Sequence, residues 1–470
     1  MNALPRWLHF SLLFSLLLAP LLFPPVRARA EITLADELEM GRRFNQLLRA
    51  STTMVQDPEI ADYTEYLLRR LLAHIPPQPF RFSLSLVRDD TPNAFAVPGG
   101  YIFLHTGLVL AMRHESEVAG VLAHELAHIT QRHIARRIAQ AQRINILSAV
   151  GLLAGAFLGG GGDASSAAVM GSLAAGQSAM LNYSRVDETE ADQMGVASLS
   201  AAGYPLEGMI EAFRIIQRPQ WVSGSDIPAY LSTHPATSER ITELTARLHS
   251  LKKAVLTPSP EEDKRFMLVQ TLIRGRYSSP ENALRFFEEQ RNKREHRAMA
   301  YLGLGLVYER MNRVGEADAA FKSALEENPG HQLFLREAGR FNYLKGDKTA
   351  AILLLQQATA QNPGDYAALF YYARLLDDSG QTEQALEYYR QVLRYQPEDV
   401  EAHYRYAILL GREHRAFQAR LHLAYSALYE NNPIKTEQQY KRLKNMPQDD
   451  KDQEDLSIFE KRYADRRAYW

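Results

Sequence analysis

The chain has 470 residues, 46% of them hydrophobic and 23% charged, with a formal net charge of −1 and no cysteine. That length predicts two or three domains, and the balanced charge points away from a nucleic-acid partner or an acidic substrate. Without cysteine there is no thiol catalysis and no thiolate–zinc site, and a lipoprotein-type anchor is not expected.

In chain order, Arg6 precedes an almost wholly apolar run from Leu8 to Phe23, followed by Ala28-Arg29-Ala30. This pattern predicts a secretory signal over residues 1–30, cleaved after Ala30. The alternative is an uncleaved signal anchor; Pro20, Pro24 and Pro25 interrupt the run and argue against it. Residues 31–255 then carry the His and Glu motifs. Phe80 to Leu86 alternates apolar and polar residues, as a half-buried strand does. Asn93–Val97 and Tyr101–Leu104 read as two strands joined at Pro98-Gly99-Gly100. From Glu115 to about Arg143 apolar residues return at helical spacing.

That helix holds His124-Glu125-Leu126-Ala127-His128. Four residues are about one helical turn, so both imidazoles project from one face and can share a zinc ion. Glu125 is offset round the helix, which suits a general base. Two imidazoles do not complete a catalytic zinc site, and a carboxylate on a later helix is expected. Asp187-Glu188-Thr189-Glu190-Ala191-Asp192 supplies Glu188 as third ligand, with Glu190 as the rival. Asp192, one turn on, is expected to accept a hydrogen bond from a ligand histidine. The bland alternatives are a helix with two solvated histidines and an acidic first turn favoured by the helix dipole. His105, His114 and His133 read as structural or solvated. Between the two motifs, Ile144–Leu181 is apolar and rich in Gly and Ala. Its central run, Leu147–Leu158, is too short to span a bilayer and is broken by Gly159–Gly162; the segment reads as a helical hairpin near the site, with a membrane-dipping or partner-docking element over residues 147–181 as the alternative.

Residues 256–263 turn to Pro, Ser and acid and read as a linker. From 264 to 433 the chain repeats with a period of 34, marked by Pro329, Pro363 and Pro397 and by small residues such as Gly305, Gly339 and Ala373. This is the tetratricopeptide pattern, in about four to five copies, and such solenoids are binding surfaces. Residues 434–470 are highly charged and read as a solvated helix or frayed tail. The fold class predicted is an α+β gluzincin-type metallopeptidase domain followed by an all-α tetratricopeptide solenoid.

Residues 92–107, the 124–128 motif and Glu188-x-x-Ala191-Asp192 resemble the HtpX and CAAX-prenyl-protease type of gluzincin. The order of signal, peptidase domain and repeats resembles the periplasmic beta-barrel assembly-enhancing proteases. The resemblance implies a periplasmic zinc endopeptidase with one Zn²⁺ per chain. Its clients would be stalled or misfolded outer-membrane proteins, and its repeats would engage the beta-barrel assembly machinery. It also implies that His234, in Ser232-Thr233-His234-Pro235, can fill the open zinc position and keep the enzyme latent. Arg240 matches a basic residue near the family's active site, expected at the transition state or substrate; a surface Arg is the alternative. The strand containing Asn93, Ala94, Phe95 and Ala96 would pair with an extended substrate. A chaperone or scaffold with a largely silent zinc site is the rival function, and a membrane-associated processing enzyme a second.

Overall fold

The computed structural model describes residues 32–140, 146–158, 183–218, 229–234, 237–250 and 259–467. The expected signal over 1–30 and most of the expected hairpin over 147–181 lie outside these residues. The chain divides into two units, one of Met1–Val55 with Tyr63–Asp263 and one of Gln56–Asp62 with Lys264–Trp470.

The first unit opens with α1 (Leu34–Ser51), whose start is fixed by a reciprocal cap between Thr33 and Asp36. α2 (Pro58–Leu72) follows, and from Tyr63 on it belongs to this unit. Next come β1 (Ser83–Val87), β2 (Ala94–Val97) and β3 (Tyr101–His105), ordered β1-β3-β2. β1 runs parallel and β2 antiparallel to β3. The Pro98-Gly99-Gly100 turn works because both glycines adopt left-handed backbone angles, φ +84° and +91°. In that order β2 lies at one edge of the sheet. Phe44 of α1, Phe95 of β2 and Phe103 of β3 form the aromatic centre of this core.

α3 (Thr106–Ala111) leads into α4 (Glu115–Thr130), which is buried from Glu115 to Ile129. The helix expected to run to about Arg143 breaks here. Arg132 takes φ +53°, and its guanidinium is held by Glu37 and by the Ile32 carbonyl at 3.2 Å. The chain restarts as α5 (His133–Gln140). α6 (Ile146–Leu158) lays Phe157 flat on Phe95 at 4.6 Å between ring centroids, so this part of the apolar segment covers the sheet. Among the described residues no helix is long and apolar enough to cross a membrane. α7 (Arg185–Ala201), α8 (Glu207–Ile216), α9 (Ala229–Thr233) and α10 (Thr237–Ser250) complete the unit.

The second unit is helical throughout. Its helices are α11 (Pro260–Tyr277), α12 (Pro280–Gln290), α13 (Arg297–Arg310), α14 (Val314–Glu327), α15 (Gln332–Leu344), α16 (Lys348–Gln361), α17 (Tyr366–Asp378), α18 (Thr382–Tyr395), α19 (Val400–Arg412) and α20 (Ala416–Tyr429). The expected small residues sit at the close helix contacts: a Cβ on Gly305 would meet Phe321, and one on Gly339 would meet Leu355. Glu337 is buried against Arg276, Arg336 and Arg340 at 2.6–3.1 Å. Asp57 pairs with Arg276, and Glu59 with Arg336 at 3.1 Å.

Two boundaries differ from the sequence reading. The expected 256–263 linker is already helical from Pro260, where Glu261, Glu262 and Asp263 stand in the first turn of α11; acids there are favoured by the helix dipole. The expected charged tail is two packed helices, α21 (Pro433–Lys444) and α22 (Asp450–Arg467). Leu443, Leu456, Phe459 and Tyr463 bury a narrow apolar stripe against Phe417, Leu421 and Tyr425 of α20. Most of the charge lies on the outer faces, as a terminal cap of a solenoid requires; the buried Asp452 accepts from Gln418 at 2.9 Å.

Candidate active site

α4 delivers His124, Glu125 and His128, all at most 2% exposed. α7 runs against it and brings Glu188 and Asp192, which are one turn apart. The residue after α9, His234, completes the cluster. His124, His128, Glu188 and His234 each offer a ligand atom within 4.8 Å of the others. The Nε2 atoms of His124 and His128 stand 3.0 Å apart, and His234 Nδ1 is 3.3 Å from His124 Nε2. Glu188 Oε1 lies 3.0 Å from His234 Nδ1 and 3.4 Å from His128 Nε2, and Glu188 Oε2 lies 3.5 Å from His124 Nε2. A tetrahedral zinc with bonds of about 2.0–2.1 Å sets its ligands about 3.3 Å apart. The donor set therefore fits such an ion in both chemistry and spacing.

Glu125 sits beside this cluster without joining it. Its Oε1 is 3.5 Å from His234 Nε2, and both carboxylate oxygens are buried without a hydrogen-bond partner. Burial pushes its carboxyl up, against the pull of His234 and His124. Burial would raise Glu188 too, but His234 and Arg240 outweigh it and hold that carboxyl well below its usual range. The two α4 imidazoles diverge. Burial carries His128 well below the ordinary value. For His124, burial and Arg240 act downward, yet the hydrogen bonds to Asp192 and Glu188 lift it to about 9.

Asp192 Oδ1 lies 3.0 Å from His124 Nδ1. Arg240 lies elsewhere than an open substrate contact would. It is 3% exposed and donates to Asp192 at 2.8 and 2.7 Å. It also pairs with Glu188, and its guanidinium lies 4.5 Å above the Phe213 ring. Glu190, the rival ligand, turns away toward His133 and Arg136. His105 faces Asp89, and His114 bonds Asp263 at 2.8 Å.

The edge strand adjoins the cluster. Ala96 and Val97 of β2 line one crevice with His128, Ile129, Ile134 and Tyr183. Phe95 and Ala94 are fully buried and pair with Phe103 and Leu104 of β3. Asn93, 1% exposed, accepts the His105 amide on its carbonyl at 2.9 Å. Two residues, Tyr183 and Tyr230, escaped the sequence reading, and His133 was read there only as structural or solvated. Tyr183 stacks on His128 at 3.7 Å, Tyr230 stacks on His234 at 4.4 Å, and His133 touches His128. None carries a local pattern; only a His five residues after His128 hinted at the last.

Residues 55–248 match the model of Peptidase family M48, and residues 302–366 and 343–403 match tetratricopeptide repeat models. The chain is 31% identical over 314 residues to the putative beta-barrel assembly-enhancing protease of Vibrio cholerae, covering 66% of this chain and 64% of that one. It is 30% identical over 343 residues to the beta-barrel assembly-enhancing protease of Escherichia coli, covering 70% and 68%. A shorter match, 32% over 182 residues, reaches the mitochondrial metalloendopeptidase OMA1 of Schizosaccharomyces pombe and covers 39% of this chain and 51% of that one. The chain thus spans about two thirds of the bacterial relatives' length. With an α+β metallopeptidase unit followed by tetratricopeptide helices, it belongs to Peptidase family M48, in the group whose members carry the name beta-barrel assembly-enhancing protease.

Proposed function

We propose that the chain is a zinc-dependent endopeptidase of the periplasm, acting on stalled or misfolded outer-membrane proteins and held latent at rest by His234. One observation carries the reading: four buried donors, His124, His128, Glu188 and His234, converge beside a buried carboxylate, Glu125, that stands outside the donor set and accepts no hydrogen bond. Imidazole and carboxylate donors suit zinc. Bound there, zinc would polarise the scissile carbonyl and lower the pKa of the attacking water.

The remaining steps belong to side chains. An extended client pairs by backbone hydrogen bonds with the edge strand at Asn93–Val97, a mode that tolerates many sequences and suits unfolded substrates. Glu125 takes the proton of the attacking water and passes it to the leaving amine. Asp192 accepts from His124 Nδ1–H and so keeps Nε2 free to ligate. Arg240 keeps both α7 carboxylates charged and in place. His234 fills a corner that a catalytic site keeps open, and its outer nitrogen faces Glu125 at 3.5 Å. Turnover therefore requires His234 to leave that corner. The names of the relatives and the tetratricopeptide solenoid support clients and partners in outer-membrane assembly, with the repeats engaging the assembly machinery.

The test compares casein cleavage by wild type, Glu125→Gln and His234→Ala, with bound zinc counted in each. The expected result is one zinc in all three, faster cleavage in His234→Ala, and a loss of about 10²- to 10⁴-fold in Glu125→Gln. The same filled corner favours a second reading, a chaperone or scaffold with a silent zinc site. Three equally inactive proteins, all with zinc bound, would establish that one instead.

A further inference from the structure

One buried imidazole has no task in the mechanism above. His133, at the start of α5, is 0% exposed. Its Nδ1 lies 2.7 Å from Nδ1 of His128, and its Nε2 lies 3.1 Å from Glu190 Oε2. Arg136 donates to the same Glu190 oxygen at 3.0 Å.

The protons on this chain have one consistent arrangement. His128 Nε2 faces His124 and Glu188 inside the ligand cluster, so a metal takes its lone pair there. The His128 proton must then sit on Nδ1. The atom facing that proton is His133 Nδ1, which can accept only if it is bare. His133 therefore carries its own proton on Nε2, and Glu190 is positioned to receive it. Each link determines the next, from a buried ligand to a carboxylate whose side chain is 38% exposed.

We propose that His133 is a positioning residue, which with Glu190 forms an imidazole–carboxylate extension that sets the tautomer and ring orientation of the metal-binding His128. The inference rests on the zinc-peptidase reading. It explains an asymmetry between the two ligands of α4. His124 meets a carboxylate directly, Asp192 at 3.0 Å. The carboxylate available to His128 leaves α7 two residues after Glu188 and points outward, so an imidazole spans the gap. It also explains the break at Arg132: an unbroken helix would carry His133 a turn and a half beyond His128 and round to another face.

The test is the zinc affinity of the full chain, measured by competition with a chromophoric chelator. Loss of such an outer partner typically weakens metal binding about 10- to 100-fold, and that loss is expected for His133→Phe, which keeps a ring and removes both nitrogens. His133→Asn, whose amide oxygen can stand where Nδ1 stood, is expected to recover most of it. Glu190→Ala, at a half-exposed position, should weaken binding less while leaving the metal-free melting temperature nearly unchanged. Wild-type affinity in His133→Phe overturns the proposal, as does an Asn variant no better than Phe. If His133→Phe does not fold, unchanged affinity in Glu190→Ala overturns it. A wild-type chain that binds no zinc fails the peptidase reading itself, a separate result.

Discussion

Arg240 is the residue on which the charges of the site depend. Its guanidinium holds Asp192 through two hydrogen bonds and Glu188 through a third contact, with the Phe213 ring beneath. Removing one member of a buried ion cluster leaves the others uncompensated, at a cost of about 3–5 kcal/mol. Arg240→Met is therefore expected to lower the stability of the chelator-treated peptidase unit by about that amount, read by urea unfolding. An unchanged midpoint would mean that the two carboxylates take up protons at little cost. The pH dependence has a definite sign. Burial opposes ionisation of Asp192, yet the hydrogen bonds from Arg240 and His124 hold its carboxyl below the usual range, as His234 and Arg240 do for Glu188. A depressed acid adds stability above its unfolded pKa of about 4 and loses it as pH falls through the folded value. The metal-free wild type should lose stability below about pH 4 more steeply than Arg240→Met does.

At the scale of elements, the site depends on how closely helices approach α4. A Cβ on Gly120 would stand 2.6 Å from Met209 Cα of α8, nearer than real contacts allow. The reverse holds at Gly208, next to the Ser116 carbonyl of α4. Glycine on both helices brings the backbones together, and Phe213 of α8 then packs edge-on to His124 at 5.6 Å. Gly120→Ala is expected to push α8 away at an overpacking cost of about 1–3 kcal/mol. The measurement is the thermal transition of the peptidase unit, with zinc affinity falling in parallel. A variant that melts with the wild type would show that α8 slides without strain. α4 was legible because apolar residues at helical spacing are a local signal. Its end was not, because Arg132 bends the chain to reach Glu37, about 95 residues earlier, and no local pattern records that partner.

For the whole molecule, the repeats form a unit whose core is made of neighbouring helix pairs. Stability in such a solenoid is close to a sum over neighbours and caps. The segment 264–470 expressed alone is therefore expected to fold, with helical circular dichroism and no zinc. It should be less stable than in the full chain, because Asp57 and Glu59, partners of Arg276 and Arg336, are absent from it. A random-coil spectrum would refute this. The helices α21 and α22 contribute the cap, so trimming at 433 should expose Phe417 and Tyr425 and lower the midpoint further.

What the sequence alone determined follows from distances along the chain. His124, Glu125 and His128 lie within one turn, so their common face is set by helix geometry. The 34-residue period is a translation that any window reveals, and the Pro-Gly-Gly turn needs only local backbone angles. The choice of Glu188 and Asp192 rested on a spacing of one turn within α7. Tertiary structure alone decided the rest. It decided how near His234 comes to the donors of His124, His128 and Glu188, all within 4.8 Å of one another, that Arg240 pairs with two carboxylates instead of facing solvent, that His133 contacts His128, and that a charged tail packs through a stripe of four apolar residues. In each case the partner lies on another element or past a chain break, where only packing brings the atoms within hydrogen-bonding or van der Waals reach.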